Sequence, residues 1–520
     1  MEPLQVVWFK RDLRTTDHAP LAAAAARGPV LPLYVVEPDG WQHPDASRRQ
    51  WLFVRDSLLD LRRRLAALGQ PLVVRTGDAV EVFRRLLEAL PVAAVHAHQE
   101  TGNDWTYRRD RAVAALLRDR GVPLFEPRQH GVVRRLRNRD GWARQWEALM
   151  GAEPAPVPAG LAPLRGIDPG VVPELPLAAT GLPPEPGEQI QPGGRRMGDA
   201  VLAGFLERRG EGYSGGISSP VTAWLASSRL SPHLAFGTLS LREVTRACRA
   251  RRAELRDEPR SAARGQWLRS LKRFEERLHW RCHFMQKLET APEFEFQNMQ
   301  RACDGLRVTG ARAGDFEAWC RGETGFPLVD ACLRQVRARG WLNFRMRALI
   351  VSFASYHLWL EWRRTGPWLA RQFTDYEAGI HYCQMQMQSG TTGINTLRIY
   401  TPVKQSLELD PAGVFIRRWL PELSEVPDRW LHEPWAMPER VQRTSRCRMG
   451  EDYPLPIVDH EQAARRARAA FRAVRQDPDA NRQADAIQQR HGSRRTARPQ
   501  RGPRPGGQRP TQGDLFDAGE

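Results

Sequence analysis

The chain has 520 residues, of which 41% are apolar and 27% are charged, and 78 Lys and Arg against 60 Asp and Glu give a formal net charge of +18. This balance predicts a globular protein with more than one domain and excludes a collagen, a fibre and a small disulfide-stabilised scaffold. No window approaches 18 uncharged apolar residues, and the short apolar run at the N-terminus is followed at once by charge, so the sequence predicts a cytosolic protein. Seven scattered cysteines without a CxxC pair argue against a disulfide framework and against a zinc or iron–sulfur site.

Residues 1–150 alternate short β-branched runs with helical patterns. Helical stretches are predicted at 51–69 and 78–90. This alternation predicts a doubly wound parallel sheet, whose ligands bind beyond the carboxyl ends of the strands. The segment KRDLRTTDH after the first strand is therefore a candidate edge of a site. The strand-like runs lie at 5–9, 30–36, 71–75, 93–97 and 122–126.

The chain changes character after residue 150. Eleven prolines fall within residues 151–192, a density that no helix or inner strand tolerates, so 151–196 is predicted to be an interdomain linker. From 197 to 475 the pattern is helical. Predicted helices lie at 199–209, 241–255, 266–289, 315–321, 327–339 and 345–363.

The predicted helix at 266–289 has an apolar core face and a second side that carries arginines and aromatic rings. A basic row with interleaved aromatic side chains suits phosphates and a stacked base. On this helix alone, an ordinary solvated face with one half-buried tryptophan explains the pattern slightly better. The residues of this side are Arg273, Arg277, Trp280, Arg281 and Phe284.

Two polar segments are further candidates for ligand contacts. In ASSRLSPHLAFGTL (226–239), Ser227, Ser228 and Ser231 could donate hydrogen bonds to a phosphate, although helix capping is the commoner use of such residues. The segment 373–400 breaks helical periodicity and is dense in polar side chains, which is typical of a stretch that wraps a polar ligand. By itself, His381 in this segment is best interpreted as a core histidine.

Seven collinear segments resemble the DNA photolyase/cryptochrome family over roughly residues 4–475. One such match could arise by chance, but seven in order could not. The segments are VVWFKRDLRTTDHAPL (6–21), SSRLSPHLAFGTLS (227–240), RLHWRCHF (277–284), WCRGETGFPLVDACLRQVRARGWLNFRMRALIVSF (319–353), DPAGVFIRRWLPEL (410–423), HEPWAMP (432–438) and YPLPIVDHEQAARRARAAF (453–471).

The resemblance implies an α/β antenna domain at 1–150 and an all-helical FAD-binding catalytic domain at 197–475, followed by a basic tail at 476–520 that is expected to be disordered. It also implies light-driven repair of UV-damaged DNA by a monomer in the cytoplasm of a prokaryote. Excited reduced FAD donates an electron to a cyclobutane pyrimidine dimer, the ring splits and the electron returns. The antenna pigment stays open between a folate, a deazaflavin, a ribityl-lumazine and none.

The resemblance also assigns site residues by position. The expected catalytic residues are Trp280, Arg277 and His381, and no metal site is expected. The expected FAD contacts are Tyr213, Ser227, Ser228, Leu230, Ser231, Arg347, Asp375, Tyr376, Glu377 and His381. The expected DNA or substrate contacts are Arg273, Arg277, Trp280, Arg281, Asn343, Arg345 and Met387.

The chain departs from the family at several of these positions, which suggests a divergent prokaryotic branch. Arg277 stands where dimer-repairing members have a glutamate that contacts the damaged bases. Cys447 stands alone where the iron–sulfur branch has clustered cysteines, so that cluster is expected to be absent.

The tryptophan chain that photoreduces the flavin also looks interrupted. No tryptophan occurs between Trp368 and Trp419, so Met or Gln of QMQMQ takes the proximal position. Trp362 matches the middle member, and Thr309 lies near the distal one. A different route through Trp341, Trp359 and Tyr400 stays open. Met387 lies near a second family tryptophan, which flanks the substrate.

Three functions therefore compete: repair of cyclobutane dimers, repair of the (6-4) lesion, and a cryptochrome-like blue-light receptor without catalysis. The last 30 residues carry six Arg against three acidic residues, so about +15 of the charge belongs to the rest of the chain, which favours DNA work. In the tail, Gln512, Leu515 and Phe516 resemble the peptide by which bacterial repair proteins bind the sliding clamp, although chance is as good an explanation of so short a match.

Overall fold

The computed structural model of the chain describes residues 3–175 and 188–493. Its N-terminal domain contains a parallel five-stranded sheet in the order β3-β2-β1-β4-β5, which confirms the predicted doubly wound fold. The strand order reverses between β1 and β4, so the segment that begins at Lys10 opens the crevice where such sheets bind ligands. The strands are β1 (Leu4–Phe9), β2 (Val30–Val36), β3 (Val73–Thr76), β4 (Val92–His96) and β5 (Leu124–Phe125).

Six helices accompany this sheet. The longest, α3, begins at a capping box in which Ser47 and Gln50 bond each other's backbone N–H groups, and it ends before Gly69, whose φ of +115° suits glycine. Its buried apolar side chains form one core cluster with those of the sheet. The helices are α1 (Ala19–Ala25), α2 (Pro38–Gln42), α3 (Arg48–Ala67), α4 (Ala79–Ala89), α5 (Asp104–Asp119) and α6 (Trp142–Gly151).

The proline-rich connector packs along the α/β domain where it is described. Leu161 is buried, its N–H donates to Leu68 O (2.6 Å), and Pro169 O accepts from Val74 N–H (2.8 Å). The two domains are joined by Arg49 of α3, whose guanidinium donates to Val336 O (2.7 Å) and Gln372 O (2.8 Å) of the helical domain.

The described part of the second domain is built from helices and connecting loops, with no β-strand longer than one isolated bridge. Its longest helix, α12, begins at the N-cap Ser261 and contacts α11 and α17. The helices are α7 (Arg195–Glu207), α8 (Tyr213–Gly216), α9 (Ala223–Ala226), α10 (Ser231–Ala235), α11 (Leu241–Asp257), α12 (Ala262–Thr290), α13 (Asp315–Arg321), α14 (Pro327–Arg339), α15 (Phe344–Ser352), α16 (Trp362–Gln372), α17 (Ala378–Ser389), α18 (Pro402–Leu409), α19 (Val414–Trp419), α20 (Asp428–Leu431), α21 (Glu439–Thr444), α22 (His460–Gln476) and α23 (Pro478–His491).

Three elements differ from the sequence-based expectations. The predicted helix 345–363 is two helices, because a π-turn at Phe353–His357 and the positive φ of Trp359 (+59°) interrupt it. The stretch 373–400 contains α17, which shows no amphipathic period because it is buried on most sides. Part of the tail expected to be disordered forms α23, whose Ala480 is fully buried.

Within the described ranges, a search for a helix of membrane-spanning length and hydropathy finds none. The peptide around Phe516 and the six tail arginines lie outside the described residues.

Candidate functional site

A cavity of about 330 Å³ lies in the helical domain between α12, α15, α17 and the loop that precedes α10. Arg229 in this loop has a positive φ of +57°, a conformation that non-glycine residues adopt rarely and that often marks a functional site. Nine of the ten residues expected to contact FAD line this cavity: Tyr213, Ser227, Ser228, Ser231, Arg347, Asp375, Tyr376, Glu377 and His381.

An ion pair forms part of the cavity wall. The guanidinium of Arg347, from α15, donates to both carboxylate oxygens of Asp375 (2.8 and 3.0 Å) and to Leu342 O (2.8 Å). It also lies 3.9 Å from the ring centroid of Phe373. These contacts fix the guanidinium on several sides, so the pair presents a rigid donor and acceptor to a ligand.

A second charged group connects the two domains at the cavity. Arg281 of α12 donates to Glu377 Oε2 (2.9 Å), while Arg11, which follows β1, donates to Tyr376 O (2.6 Å) and Ala235 O (2.9 Å). The strand edge at KRDLR therefore reaches the cavity wall of the helical domain, as its position after β1 suggests. Arg281 is paired and mostly buried, so the structure does not support its expected contact with DNA.

His381 of α17 is held as a neutral imidazole. Burial lowers the pKa of His381 to about 4, and its Nε2–H donates to Gly366 O (2.9 Å). Its ring lies 5.3 Å from that of Tyr376 and 5.2 Å from that of Tyr382, measured between centroids. In this tautomer Nδ1 carries the lone pair, so His381 is suited to accept a hydrogen bond and not to supply a positive charge.

Trp280 and Arg277 of α12 line the side of the cavity nearest the basic row. Trp280 is half-buried, and its ring centroid lies 4.9 Å from His283 and 5.9 Å from Phe284. The Arg277 guanidinium lies 5.8 Å from the Phe344 ring centroid, and burial lowers its pKa. A flat aromatic ring beside a cation is an arrangement that accepts a nucleobase.

Five other expected contacts lie outside the cavity lining or are already hydrogen-bonded within the protein. Leu230 is fully buried in an apolar cluster away from the cavity surface. Asn343 lines the cavity, but its amide donates to Ile217 O (2.9 Å) and Ser218 O (3.0 Å), so it braces α8 instead of facing DNA. The other three are half-buried outside the cavity lining: Arg273, Arg345 and Met387.

Buried polar atoms without a partner test whether the cavity suits a polar cofactor. Among the described residues, Glu377 Oε1, Gln384 Nε2 and Arg229 Nε are buried, lack a hydrogen-bond partner and belong to side chains that line the cavity. Leaving such atoms unsatisfied is costly, so they indicate a ligand with both donors and acceptors. The phosphates, ribityl hydroxyls and ring amide of FAD meet this requirement. Sequence reasoning placed Arg11, Arg229 and Gln384 in candidate segments but assigned none of them a contact, because their role depends on contacts distant in sequence.

A second cavity, of about 130 Å³, lies in the α/β domain and shares Tyr376 with the first. Arg109 of α5 bonds three carboxylates there: Glu37 (2.6 Å), Asp110 (2.9 Å) and Glu100. Burial raises the pKa of Glu37 to about 7 in spite of this arginine. Charges in this cavity therefore neutralise one another.

A buried carboxylate–imidazole cluster near β1 has ligand types that metals use. His18 Nε2–H (2.9 Å) and His98 Nδ1–H (2.8 Å) both donate to Asp12 Oδ2, and His18 Nδ1 accepts from Leu21 N–H. These hydrogen bonds account for the cluster, because each nitrogen they involve already has a partner and none needs a cation.

Comparisons with known proteins match both domains of the chain to one protein family. Residues 5–141 match a family model described as DNA photolyase, and residues 274–473 match the FAD-binding domain of DNA photolyase. The chain is 30% identical to a deoxyribodipyrimidine photo-lyase of Halobacterium salinarum, over 91% of this chain and 100% of the relative. It is also 30% identical to cryptochrome-1 of Arabidopsis thaliana, over 90% of this chain and 70% of that protein. The crystal structure of a class III photolyase from Agrobacterium tumefaciens superposes with a TM-score of 0.78 at 28% identity, over 92% of this chain and 98% of that one.

Proposed function

Since the chain belongs to the DNA photolyase/cryptochrome family, we propose that it is a DNA repair enzyme that splits cyclobutane pyrimidine dimers in light, with FAD as its cofactor. The observation that carries the proposal is that one cavity brings Trp280 and Arg277 together with the Arg347–Asp375 pair and His381. A lesion flipped into this cavity would therefore lie beside the cofactor.

The chain's own residues bind, orient and shield the reactants. Arg347, Asp375 and Glu377 would hold the flavin ring system by complementary hydrogen bonds, and the hydroxyls of Ser227 and Ser228 would contact the phosphates. When bound, FAD supplies the absorption of light and the transferable electron. His381 remains neutral at physiological pH, so it adds no charge beside the flavin.

On the DNA side, Trp280 would stack on the extruded dimer and Arg277 would donate hydrogen bonds to it. Extrusion is least costly for bases that are already mispaired, which favours a damaged site over intact duplex. Arg273, half-buried on the same helix, would contact the phosphates without reading sequence. An antenna pigment would take the second cavity, whose walls carry Trp8, Trp41 and Trp105.

A cryptochrome-like receptor is the second candidate. It is favoured by Arg277, which replaces the glutamate that contacts damaged bases in dimer-repairing members, and by the similarity to a plant cryptochrome. It would use the same cofactor cavity but would not turn over DNA.

A repair assay tests the proposal and separates it from both alternatives. Purified protein with chemically reduced FAD is illuminated with one duplex that contains a cyclobutane thymine dimer and with one that contains a (6-4) lesion. Light-dependent loss of the cyclobutane dimer alone is the expected result. Loss of the (6-4) lesion alone would change the lesion assignment, and no loss of either would favour the receptor.

A further inference from the structure

A tyrosine, a carboxylate and an imidazole form a hydrogen-bonded chain across the domain boundary. The Tyr376 hydroxyl donates to Asp45 Oδ2, which also accepts from Asn103 Nδ2 (3.0 Å), and Asp45 Oδ1 lies 2.6 Å from His43 Nδ1. Tyr376 lines the cofactor cavity, Asp45 is 3% exposed, and the His43 side chain is 24% exposed. These hydrogen bonds therefore connect the cofactor cavity to His43, whose side chain reaches solvent.

The electrostatic environment keeps Asp45 ionised, so that it can accept a proton from Tyr376. Burial alone would raise the pKa of Asp45, but hydrogen bonds from His43, Tyr376 and Asn103 and the charge of His43 lower it. The hydrogen bond to Asp45 raises the pKa of His43. Burial and the neighbouring carboxylate raise the pKa of Tyr376 well above its ordinary value, so its hydroxyl stays protonated until an electron is removed.

The cofactor cavity lacks an indole at the position expected from the family. Gln384, Met385 and Gln388 of the QMQMQ segment line the cavity instead, and Trp362 is fully buried outside the lining. Tyr376, in contrast, is part of the wall. Its ring lies 6.4 Å from that of Tyr382, which in turn lies 6.2 Å from Trp362, so Trp362 is connected to the cavity through tyrosines.

We propose that Tyr376 is the residue that photoreduces FAD in this chain, with Asp45 as the acceptor of its phenolic proton. One electron leaves the Tyr376 ring for the light-excited oxidised flavin. The O–H bond of Tyr376 breaks as a new O–H bond forms on Asp45, which leaves a neutral tyrosyl radical. A small thiolate in solution then returns one electron to the radical and becomes a thiyl radical, two of which join as a disulfide, and Asp45 returns the proton to Tyr376.

A competing donor is the tryptophan pair Trp341 and Trp224, whose rings lie 5.3 Å apart and of which Trp341 lines the cavity. Two guanidinium groups cover Trp224, those of Arg339 (4.9 Å) and Arg229 (5.0 Å). An oxidised indole is a cation, so adjacent arginines raise the free energy of that radical. Tyr376 forms a neutral radical because its proton acceptor is in place, and we therefore expect it to be the preferred donor.

The test measures light-driven loss of oxidised-flavin absorbance, per bound FAD, in the full chain with dithiothreitol and without oxygen. Tyr376→Phe, which keeps the ring and removes the hydroxyl, should slow this loss at least about tenfold and abolish the tyrosyl signal in electron paramagnetic resonance. Asp45→Asn should slow it as well, and heavy water should slow the wild type but not Tyr376→Phe. A wild-type rate in Tyr376→Phe, or loss of the radical signal in Trp341→Phe alone, would overturn the proposal.

Two further measurements distinguish a loss of photoreduction from a loss of folding or of FAD binding. FAD titration gives the bound fraction of each variant, and melting of the FAD-free chain in a double-mutant cycle of Tyr376→Phe and Asp45→Asn reports whether the hydrogen bond exists in solution. Independent effects of the two substitutions on the FAD-free chain would contradict the geometry. The proposal depends on FAD binding and not on repair, and wild-type repair with chemically reduced FAD does not need this step, so the two proposals can fail separately.

Discussion

The two cavities that meet at Tyr376 treat their charges in opposite ways. In the α/β domain, Arg109 bonds Glu37, Glu100 and Asp110, and Lys10 Nζ lies 2.7 Å from Asp110, so the charged groups satisfy one another. In the helical domain, Glu377 and other lining side chains keep buried atoms without a partner in the described structure. The Arg109 network stabilises the α/β domain, whereas the cofactor cavity of the helical domain reserves its hydrogen-bonding capacity for a ligand.

Removing the central cation of the first network should give the largest effect on stability. Arg109→Met leaves the buried Glu37 and Glu100 without this cation and Asp110 with Lys10 alone, and we expect the free energy of unfolding to fall by about 3–5 kcal/mol. Urea denaturation measures this change. The exposed Arg111→Met on the same helix serves as the matched control and should change stability by less than about 0.5 kcal/mol. A similar loss of unfolding free energy in both variants would show that the Arg109 network does not stabilise the fold more than an exposed arginine does.

Breaking the ion pair in the cofactor cavity should act on FAD. Asp375→Ala leaves the Arg347 guanidinium unpaired in the cavity wall, and we expect the dissociation constant for FAD to rise by about 100-fold, or about 2.7 kcal/mol. Titration of the FAD-free chain, followed by flavin fluorescence, measures it, with the exposed Asp257→Ala as control. The contrast between the cavities fails if Arg109→Met weakens FAD binding to the folded chain as much as Asp375→Ala does.

Trp280 tests the DNA side of the same cavity. Trp280→Ala should reduce the preference for dimer-containing over intact duplex by about 1–3 kcal/mol, because the stacking surface for the extruded bases is lost. Fluorescence anisotropy with two duplexes of one sequence measures the preference. Trp280→Phe keeps part of the stacking surface, so its preference for damaged duplex should lie between those of the wild type and Trp280→Ala. Equal preference in wild type and Trp280→Ala would place the lesion elsewhere.

A buried carboxyl at the domain boundary should make stability depend on pH. Burial raises the pKa of Glu295 from 4.5 to about 7, and this group accepts from Asp104 N–H (2.7 Å) at the start of α5. The folded state therefore holds a proton that the unfolded state releases above about pH 4.5, so this group's contribution to stability falls as the pH rises towards 7. Glu295→Gln should remove that decline and gain about 1–2 kcal/mol over wild type at pH 8, with little difference at pH 4.5. Melting temperatures of the wild type and Glu295→Gln that change with pH in the same way between pH 4.5 and 8 would contradict the assignment.

The smallest expected effect separates two arginines of α12 that look alike in sequence. Arg273 is half-buried and expected to contact a phosphate. Arg273→Gln should therefore reduce the slope of log binding constant against log salt concentration by about one. Arg281 is held by Glu377, so Arg281→Gln should leave the salt slope unchanged and weaken FAD binding instead. A reduced slope for Arg281→Gln would restore its predicted role as a DNA contact.

Local patterns were sufficient for the sheet and for α12, because alternating strands and a heptad-like apolar face are properties of neighbouring residues. They failed for α17, since a helix that is buried on most sides has no amphipathic signature. They failed again at Phe353–His357, where a π-turn of buried residues follows the helix and no Gly or Pro marks its end. The predicted helix 345–363 therefore ran across this break.

Polar contacts between residues distant in sequence could not be predicted from the sequence alone. Arg281 and Glu377 are 96 positions apart, and Tyr376 and Asp45 are 331 apart, so no local spacing connects them. Family resemblance selected nine residues that the structure brings together in one cavity. Leu230, predicted to contact FAD but buried in an apolar cluster, and Asn343, predicted to contact DNA but bonded to Ile217 O, show that a matching position does not guarantee a matching contact.

The central claim is that one cavity serves both the cofactor and the lesion, and the absorption spectrum of bound FAD tests it most directly. Adding a duplex with a single cyclobutane dimer should shift the flavin bands of the wild type, because the extruded bases enter the cavity that Trp280 and Arg347 line. An undamaged duplex of the same sequence should leave them unchanged. Tight binding of the damaged duplex with no spectral shift would contradict the account.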